Sequence, residues 1–294
     1  MNVARCPARL QRRSSGRRSQ APSTNPTLVD ALTINRADIV RDGVLDLASF
    51  TSSSGVWNDV RVAVKTCVPA APANKVLREV AAFMDLPPSP HLVAVYGVCV
   101  EPTVCLVVQL CANGSMQDLL YGSRARPFSP AERLALARGT AEGLAHLHRH
   151  GLVHGTLTAR HVLLDERMTP KLSDFPASLA QYFSWAADHE PTSDAARWWS
   201  PERLTPPHPA TAPADCWSLS VLFFEIYATS LPYSGLSLDD ALSFVSSGGR
   251  LAVPPLVPLP LSTLLRSIWL PTPSPATRPT VRTVCTVLAN SDCQ

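Results

Sequence analysis

His154-Gly155-Thr156-Leu157-Thr158-Ala159-Arg160-His161-Val162-Leu163-Leu164, with Leu172-Ser173-Asp174-Phe175-Pro176 close behind it, is the stretch on which the reading of this chain turns. It gathers histidines, an arginine, hydroxyls and an acid in the middle of the sequence, and its flanks say what frame holds them. Upstream, Ser129-Pro130-Ala131-Glu132 is a helix start: serine at the cap, proline at the first helical position, glutamate to close a capping box. Leu134, Ala137, Ala141, Leu144 and Leu147 follow at helical spacing, and Gly151 ends the run. Downstream, Asp215 to Thr229 is apolar nearly all round, which predicts a buried central helix.

Further out, the first part of the chain changes character. Arg61-Val62-Ala63-Val64-Lys65, His91 to Val100 and Val104 to Leu110 are β-type runs. Between them Asn74 to Leu86 is helical by spacing, with Val76, Val80 and Phe83 on one stripe. The 28 prolines fall in clusters (Pro87 to Pro90, Pro206 to Pro213, Pro254 to Pro260, Pro271 to Pro275) and mark loops, since proline is excluded from helix and sheet interiors. The organisation expected is α+β: a disordered tail over residues 1–30, a β-rich part with one helix over 31–110, and a helical part over 111–290.

Composition narrows the function classes. With 294 residues, 46 % hydrophobic and 17 % charged, the chain has the material for a sizeable core. A net charge of +3 and few aromatics give no argument for nucleic acid. The eight cysteines include no CxxC pair and no zinc-ligand spacing, so they read as small buried residues in a reducing compartment. The apolar run Leu219 to Ala228 contains Glu225 and is too short to span a bilayer, and the N-terminus has no apolar h-region. The expected location is the cytoplasm. The basic tail, with Arg12, Arg13, Arg17 and Arg18, keeps four readings open: a nuclear-import signal, a phosphorylation site at Ser14 or Ser15, a transit peptide, or a solvated arm.

Taken in order, these segments resemble the protein-kinase family, and its tyrosine-kinase branch in particular. Val62-Ala63-Val64-Lys65 resembles the strand that carries the ATP-contacting lysine, and Glu79 falls where the family's helix glutamate pairs with it. Gln109 to Ser115 resembles the hinge, with Val108 as gatekeeper and Cys111 in the hinge itself. The opening stretch resembles the catalytic loop and the metal-binding motif; Trp199-Ser200-Pro201-Glu202 resembles the end of the activation segment, and Asp215-Cys216-Trp217-Ser218 the start of the central helix. Arg278 matches the late arginine that pairs with Glu202. The finer likeness is to the pseudokinase domain of the Janus kinases, through His91-Leu92-Val93, Tyr96 to Val100, the His-Gly opening of the loop, Lys171 to Asp174, and Pro232 to Leu236 followed by Leu242 to Phe244. The implied fold is bilobal, a β-rich N-lobe with one helix and a mainly α-helical C-lobe. The length leaves no room for a second kinase domain or an SH2 domain.

The chemistry of that family is incomplete here. Phosphoryl transfer is positioning plus neutralisation of charge. The three glycine positions of the phosphate loop hold Ser49, Thr51 and Ser54, whose side chains crowd a phosphate and resist the φ values glycine permits. The aspartate that takes the substrate proton is replaced by Thr156, a hydroxyl far too weak as a base. The asparagine that holds the second magnesium is His161, and Mg²⁺ prefers hard oxygen ligands; a manganese or zinc ligand and a plain loop histidine both remain open. Gly155 replaces the arginine that docks a phosphorylated activation loop, leaving Tyr182 without that partner. Asp174 can still ligate one metal, while Pro176 replaces a glycine and is expected to lock the loop. Fold-holding residues are kept: Glu202 with Arg278, and Asp215, expected to cap the central helix and accept amides from the catalytic loop. The resemblance therefore implies a catalytically impaired domain with weak ATP binding or none, magnesium through Asp174 only, and a protein partner such as a kinase or receptor complex. The competing reading is a weakly active phosphotransferase using Lys65 and Asp174; a third is a nucleotide sensor without turnover.

Overall fold

The structure is a computed structural model that describes residues 32–47, 50–67, 72–174, 192–208, 210–270 and 275–291. The tail, Ser49, Phe175, Pro176 and Tyr182 lie outside the described residues. The first part is a five-stranded antiparallel sheet of order β1-β2-β3-β5-β4, from β1 (Val40–Leu47), β2 (Phe50–Trp57), β3 (Val60–Thr66), β4 (Val95–Cys99) and β5 (Cys105–Gln109). Val62, Ala63, Val64 and Lys65 on β3 are all buried, because both faces of the sheet are covered. On one side Ala63, Leu106 and Val108 pack with Val76, Leu77 and Val80 of helix α1 (Ala73–Met84). On the other, Val62, Val64 and Val107 pack with Ile34 and Ile39 of the N-terminal strap. The strap approaches closely because β4 has Gly97: a Cβ there would lie 2.5 Å from the Leu32 carbonyl oxygen.

The second part is helical: α2 (Met116–Leu120), α3 (Pro130–Arg149), α4 (Ala212–Ala228), α5 (Leu238–Ser246), α6 (Leu259–Ile268) and α7 (Val281–Ala289), with the short hairpin β6 (Val162–Leu164) and β7 (Pro170–Leu172). α3 starts with the expected capping box between Ser129 and Glu132 and is closed by Gly151 at φ +74°. α4 is buried on nearly every side, with Leu219, Val221, Leu222, Phe223 and Ile226 fully enclosed. Its N-cap is Thr211, which accepts from the Ala214 amide, so the expectation that Asp215 caps it is corrected: Asp215 sits inside the first turn. The run from His91 is also shorter as a strand than expected. Leu92 makes only an isolated bridge to Leu172, and β4 starts at Val95.

The result is the α+β arrangement read from the sequence, a sheet with one long helix followed by a helical body. Among the described residues no helix is long and apolar enough to cross a membrane.

Candidate functional site

The loop between α3 and β6 is shaped by Asp215. Its carboxylate accepts the His154 amide at 2.8 Å and the Gly155 amide at 2.9 Å, and it contacts His148 Nε2 at 2.9 Å. Enclosed at 1 % exposure, it is the anchor from which the loop hangs. Gly155 takes φ +84°, a left-handed backbone that glycine adopts without the penalty a Cβ brings. A residue with a Cβ at this position would be strained. Arg203 donates instead to the Gly155 carbonyl, with its guanidinium 4.1 Å over the Trp199 ring. Burial pushes Arg203 down to about 10, against the opposing pull of Asp215.

Thr156 is 2 % exposed, and its hydroxyl is buried with no hydrogen-bond partner among the described residues. Its backbone is engaged on both sides: the amide donates to His154 Nδ1 at 3.3 Å and the carbonyl accepts from His161 Nδ1 at 2.5 Å. His161 in turn accepts through its own carbonyl from the Ser173 amide at 2.8 Å and hydroxyl at 3.1 Å. The imidazole thus braces the loop onto the end of β7. Through Nδ1 His161 acts as a loop residue, and its Nε2 is buried.

Asp174 has φ +60° and a side chain only 7 % exposed. One carboxylate oxygen is ion-paired with Lys65 of β3, and the other accepts from the Ser173 hydroxyl at 3.1 Å. Burial acts to raise its pKa, but the charges of Lys65 and His161 and the hydrogen bonds from Lys65 and Ser173 outweigh it, so the carboxyl is held below its ordinary value. The expected Lys65–Glu79 pair is corrected: the ion pairs of the described residues include none between these two, and Glu79 on α1 is half-buried. The physical reason is competition, since the buried Asp174 carboxylate supplies the countercharge that Glu79 was expected to give.

Around this pair, Val108 is buried opposite Ala63 and Val95, and Cys111 is buried in the hinge. Burial pushes the Cys111 thiol up to about 12, with nearby Lys171 acting to lower it and Asp165 to raise it. The hinge is tied to the helical part by the Asn113 amide on the Leu164 carbonyl at 3.0 Å and its side chain on the Asp165 carbonyl at 2.6 Å. Of the positions read from the sequence as the phosphate loop, Thr51 lies on β2 opposite Asp46. Ser54 is buried, pairs with Gly43 and Ala63 in the sheet, and donates to Asp42 at 2.8 Å. Asp42 also pairs with Arg61 at 2.5 Å, so a carboxylate stands beside Ser54.

Arg278 grips Glu202 with two nitrogens at 2.7 and 3.0 Å and also donates to the Pro213 carbonyl at 2.7 Å. Burial acts to raise the Glu202 pKa, but the Arg278 hydrogen bonds and charge hold it below the ordinary value. Sequence reasoning missed a second hub. Glu225 on α4 accepts from the Ala159 amide at 3.2 Å, the Trp198 indole at 2.6 Å and the Tyr121 hydroxyl at 2.5 Å. It joins the loop, the segment before Trp199, α2 and α4 through one carboxyl. The signal was Glu225 as the one acid in the apolar run Leu219 to Ala228. Among the described residues no group of three or more metal-binding side chains is found.

Comparison with known proteins gives one family. A model of the family described as protein tyrosine and serine/threonine kinase matches residues 43–288. Similar proteins include the tyrosine-protein kinase Fgr of Rattus norvegicus, 28 % identical over 251 residues, covering 84 % of this chain and 48 % of that protein. They also include the human tyrosine-protein kinase FRK, 28 % identical over 241 residues (78 % of this chain, 46 % of that one). A third is the dual specificity protein kinase pyk3 of Dictyostelium discoideum, 28 % identical over 225 residues (75 % and 16 %). The chain spans about half or less of the length of these relatives.

Proposed function

We propose, for a chain that belongs to the protein tyrosine and serine/threonine kinase family, that it has lost phosphoryl transfer and acts as a regulatory binding module. The observation that carries this reading is Thr156. A general base needs an accessible lone pair of adequate basicity within reach of the acceptor's proton. Thr156 offers a buried hydroxyl that faces no described partner. The carboxyl groups that touch the loop are already engaged: Asp215 holds its amides, Glu225 holds Ala159 and Trp198, and Asp174 is on Lys65.

The magnesium and ATP requirements are met poorly by the same residues. Two metal-binding positions reduce to one carboxylate already bound to an ammonium, and the second position is an imidazole turned onto the Thr156 carbonyl. Ser54 and Asp42 add bulk and negative charge beside the phosphate loop. Binding of ATP is therefore weak or absent. A protein partner is the remaining role for a surface whose fold-holding pairs, Glu202 with Arg278 and Asp215 with the loop, are intact. The motif likeness to Janus pseudokinase domains makes a tyrosine kinase or its receptor complex the partner class, met in the cytoplasm, or in the nucleus if the basic tail acts as an import signal.

Thermal shift with ATP, alone and with Mg²⁺ or Mn²⁺, tests the nucleotide part. Binding to the folded state alone raises the melting temperature by mass action, so an unchanged melt is expected. A metal-dependent rise abolished by Lys65→Ala would favour the second reading, a weak phosphotransferase; the contact between Lys65 and Asp174 supports that reading, because it gathers the two charged groups such an enzyme would use. Co-purification from cells tests the partner part: recovery of complexes with no kinase in them would count against it.

A further inference from the structure

We propose that Cys99 and Cys105 form a peroxide-responsive thiol pair, with Arg36 as the residue that activates Cys105. The two cysteines are direct partners in the antiparallel register of β4 and β5. Directly opposed residues in such a ladder have Cα atoms about 4.5–5.5 Å apart, within the roughly 4.4–6.8 Å that a disulfide spans. Opposed side chains leave the sheet on one face, and both sulfurs belong to the same cluster, with Ile34, Ile39, Val62 and Val64. Both thiols are free and fully buried.

The two sulfurs differ in their surroundings. Arg36 directs a guanidinium nitrogen at Cys105 Sγ from 2.7 Å, while Sγ also lies 3.2 Å from the Thr103 carbonyl. An Arg36 N–H directed at this sulfur is placed to stabilise the negative charge that develops on it during attack. Burial, with Cys105 as a neighbour, raises the Cys99 thiol in spite of Arg36. Cys105 is therefore the attacking sulfur and Cys99 the resolving one. The approach from solvent runs along the strap: Arg36 is half-buried, and Asn35, Ala37 and Asp38 beside it are exposed. Local opening of this short three-residue helical turn admits a small oxidant without unfolding the sheet.

The oxidant is hydrogen peroxide. Cys105 thiolate attacks one peroxide oxygen; the S–O bond forms, the O–O bond breaks, and the departing hydroxide takes a proton to become water. The Cys99 sulfur, losing its proton, attacks the sulfenic sulfur; the S–S bond forms, the S–O bond breaks, and the hydroxyl leaves with that proton as a second water. Two thiols are oxidised by two electrons and one peroxide becomes two waters. The product fixes the β4–β5 hairpin and commits Cys105 Sγ to Cys99 in place of its contact with Arg36, loosening the strap from the sheet.

The test is peroxide treatment of the folded full chain, alkylation of remaining thiols, and non-reducing peptide mapping. The expected product is a Cys99–Cys105 link, reversed by dithiothreitol, formed at least fivefold more slowly in Arg36→Met and unaffected in Cys67→Ser. In Cys99→Ser, Cys105 should stop at sulfenic acid and be trapped by dimedone; melting curves of the variants establish that they are folded. Both thiols staying reduced while the chain is folded, a link through Cys67, or a rate indifferent to Arg36 would overturn the proposal.

Discussion

Glu225 is a carboxyl group enclosed on all sides, and its protonation is felt by the fold. Burial raises it to about 8 from an ordinary 4.5, even though the donors Tyr121, Trp198 and the Ala159 amide all favour the charged form. A folded pKa above the unfolded one means that the native state holds a proton the unfolded chain releases. Its contribution is complete below about pH 4.5 and is lost as pH rises through about 8. Urea unfolding between pH 5 and 9 should therefore show stability falling by on the order of a few kcal/mol. Glu225→Gln keeps an acceptor for Trp198 and should flatten that slope; an equal slope in the variant would contradict the assignment. Thr156 makes a complementary prediction. Its hydroxyl has no described partner, so Thr156→Val should leave the melting temperature unchanged or raise it, since removing an unsatisfied polar atom is not a loss. Thr156→Asp would place an unpaired charge in the same space and should cost about 3 kcal/mol, read from denaturant midpoints. A Thr156→Asp protein as stable as wild type would mean that the site is more open than described.

The elements differ in how much of themselves they disclose in sequence. α3 was legible at its first residue, because the Ser129–Glu132 box is local chemistry closed within four positions. α1 was legible from the Val76, Val80 and Phe83 stripe, and β3 from its β-branched run. The strand from His91 was overread, because an apolar run does not reveal that its first residues meet β7 by one bridge rather than joining the sheet. Asp215 was assigned to the right neighbourhood with half the wrong role. A helix-start acid is a good cap by propensity, yet Thr211 reached the position first and Asp215 was left to hold the loop amides. Arg278, on the turn before α7, ties the segment after Trp199 to the start of α4 through Glu202 and the Pro213 carbonyl. Arg278→Ala should cost about 3 kcal/mol in unfolding free energy, with the melt remaining cooperative. A change under about 0.5 kcal/mol, the range of an ordinary surface substitution, would show that the pair is not structural.

For the molecule as a whole, family and fold could be read from motif order, whereas the state of the site could not. Lys65 and Asp174 are separated by 109 positions, and no local pattern says that they touch while Glu79 stays aside. Likewise Arg203, buried under no obvious motif, takes up the carbonyl of Gly155, which only the folded chain reveals. On the proposed reading, the molecule keeps the contacts that hold a kinase-like body together and has lost those that would move a phosphate. The most direct measurement of that claim is transfer of label from γ-labelled ATP to the protein itself and to a tyrosine-bearing peptide, with Mg²⁺ or Mn²⁺. The account predicts transfer at the level of the protein-free control. Incorporation above that level that disappears in Asp174→Ala would contradict it.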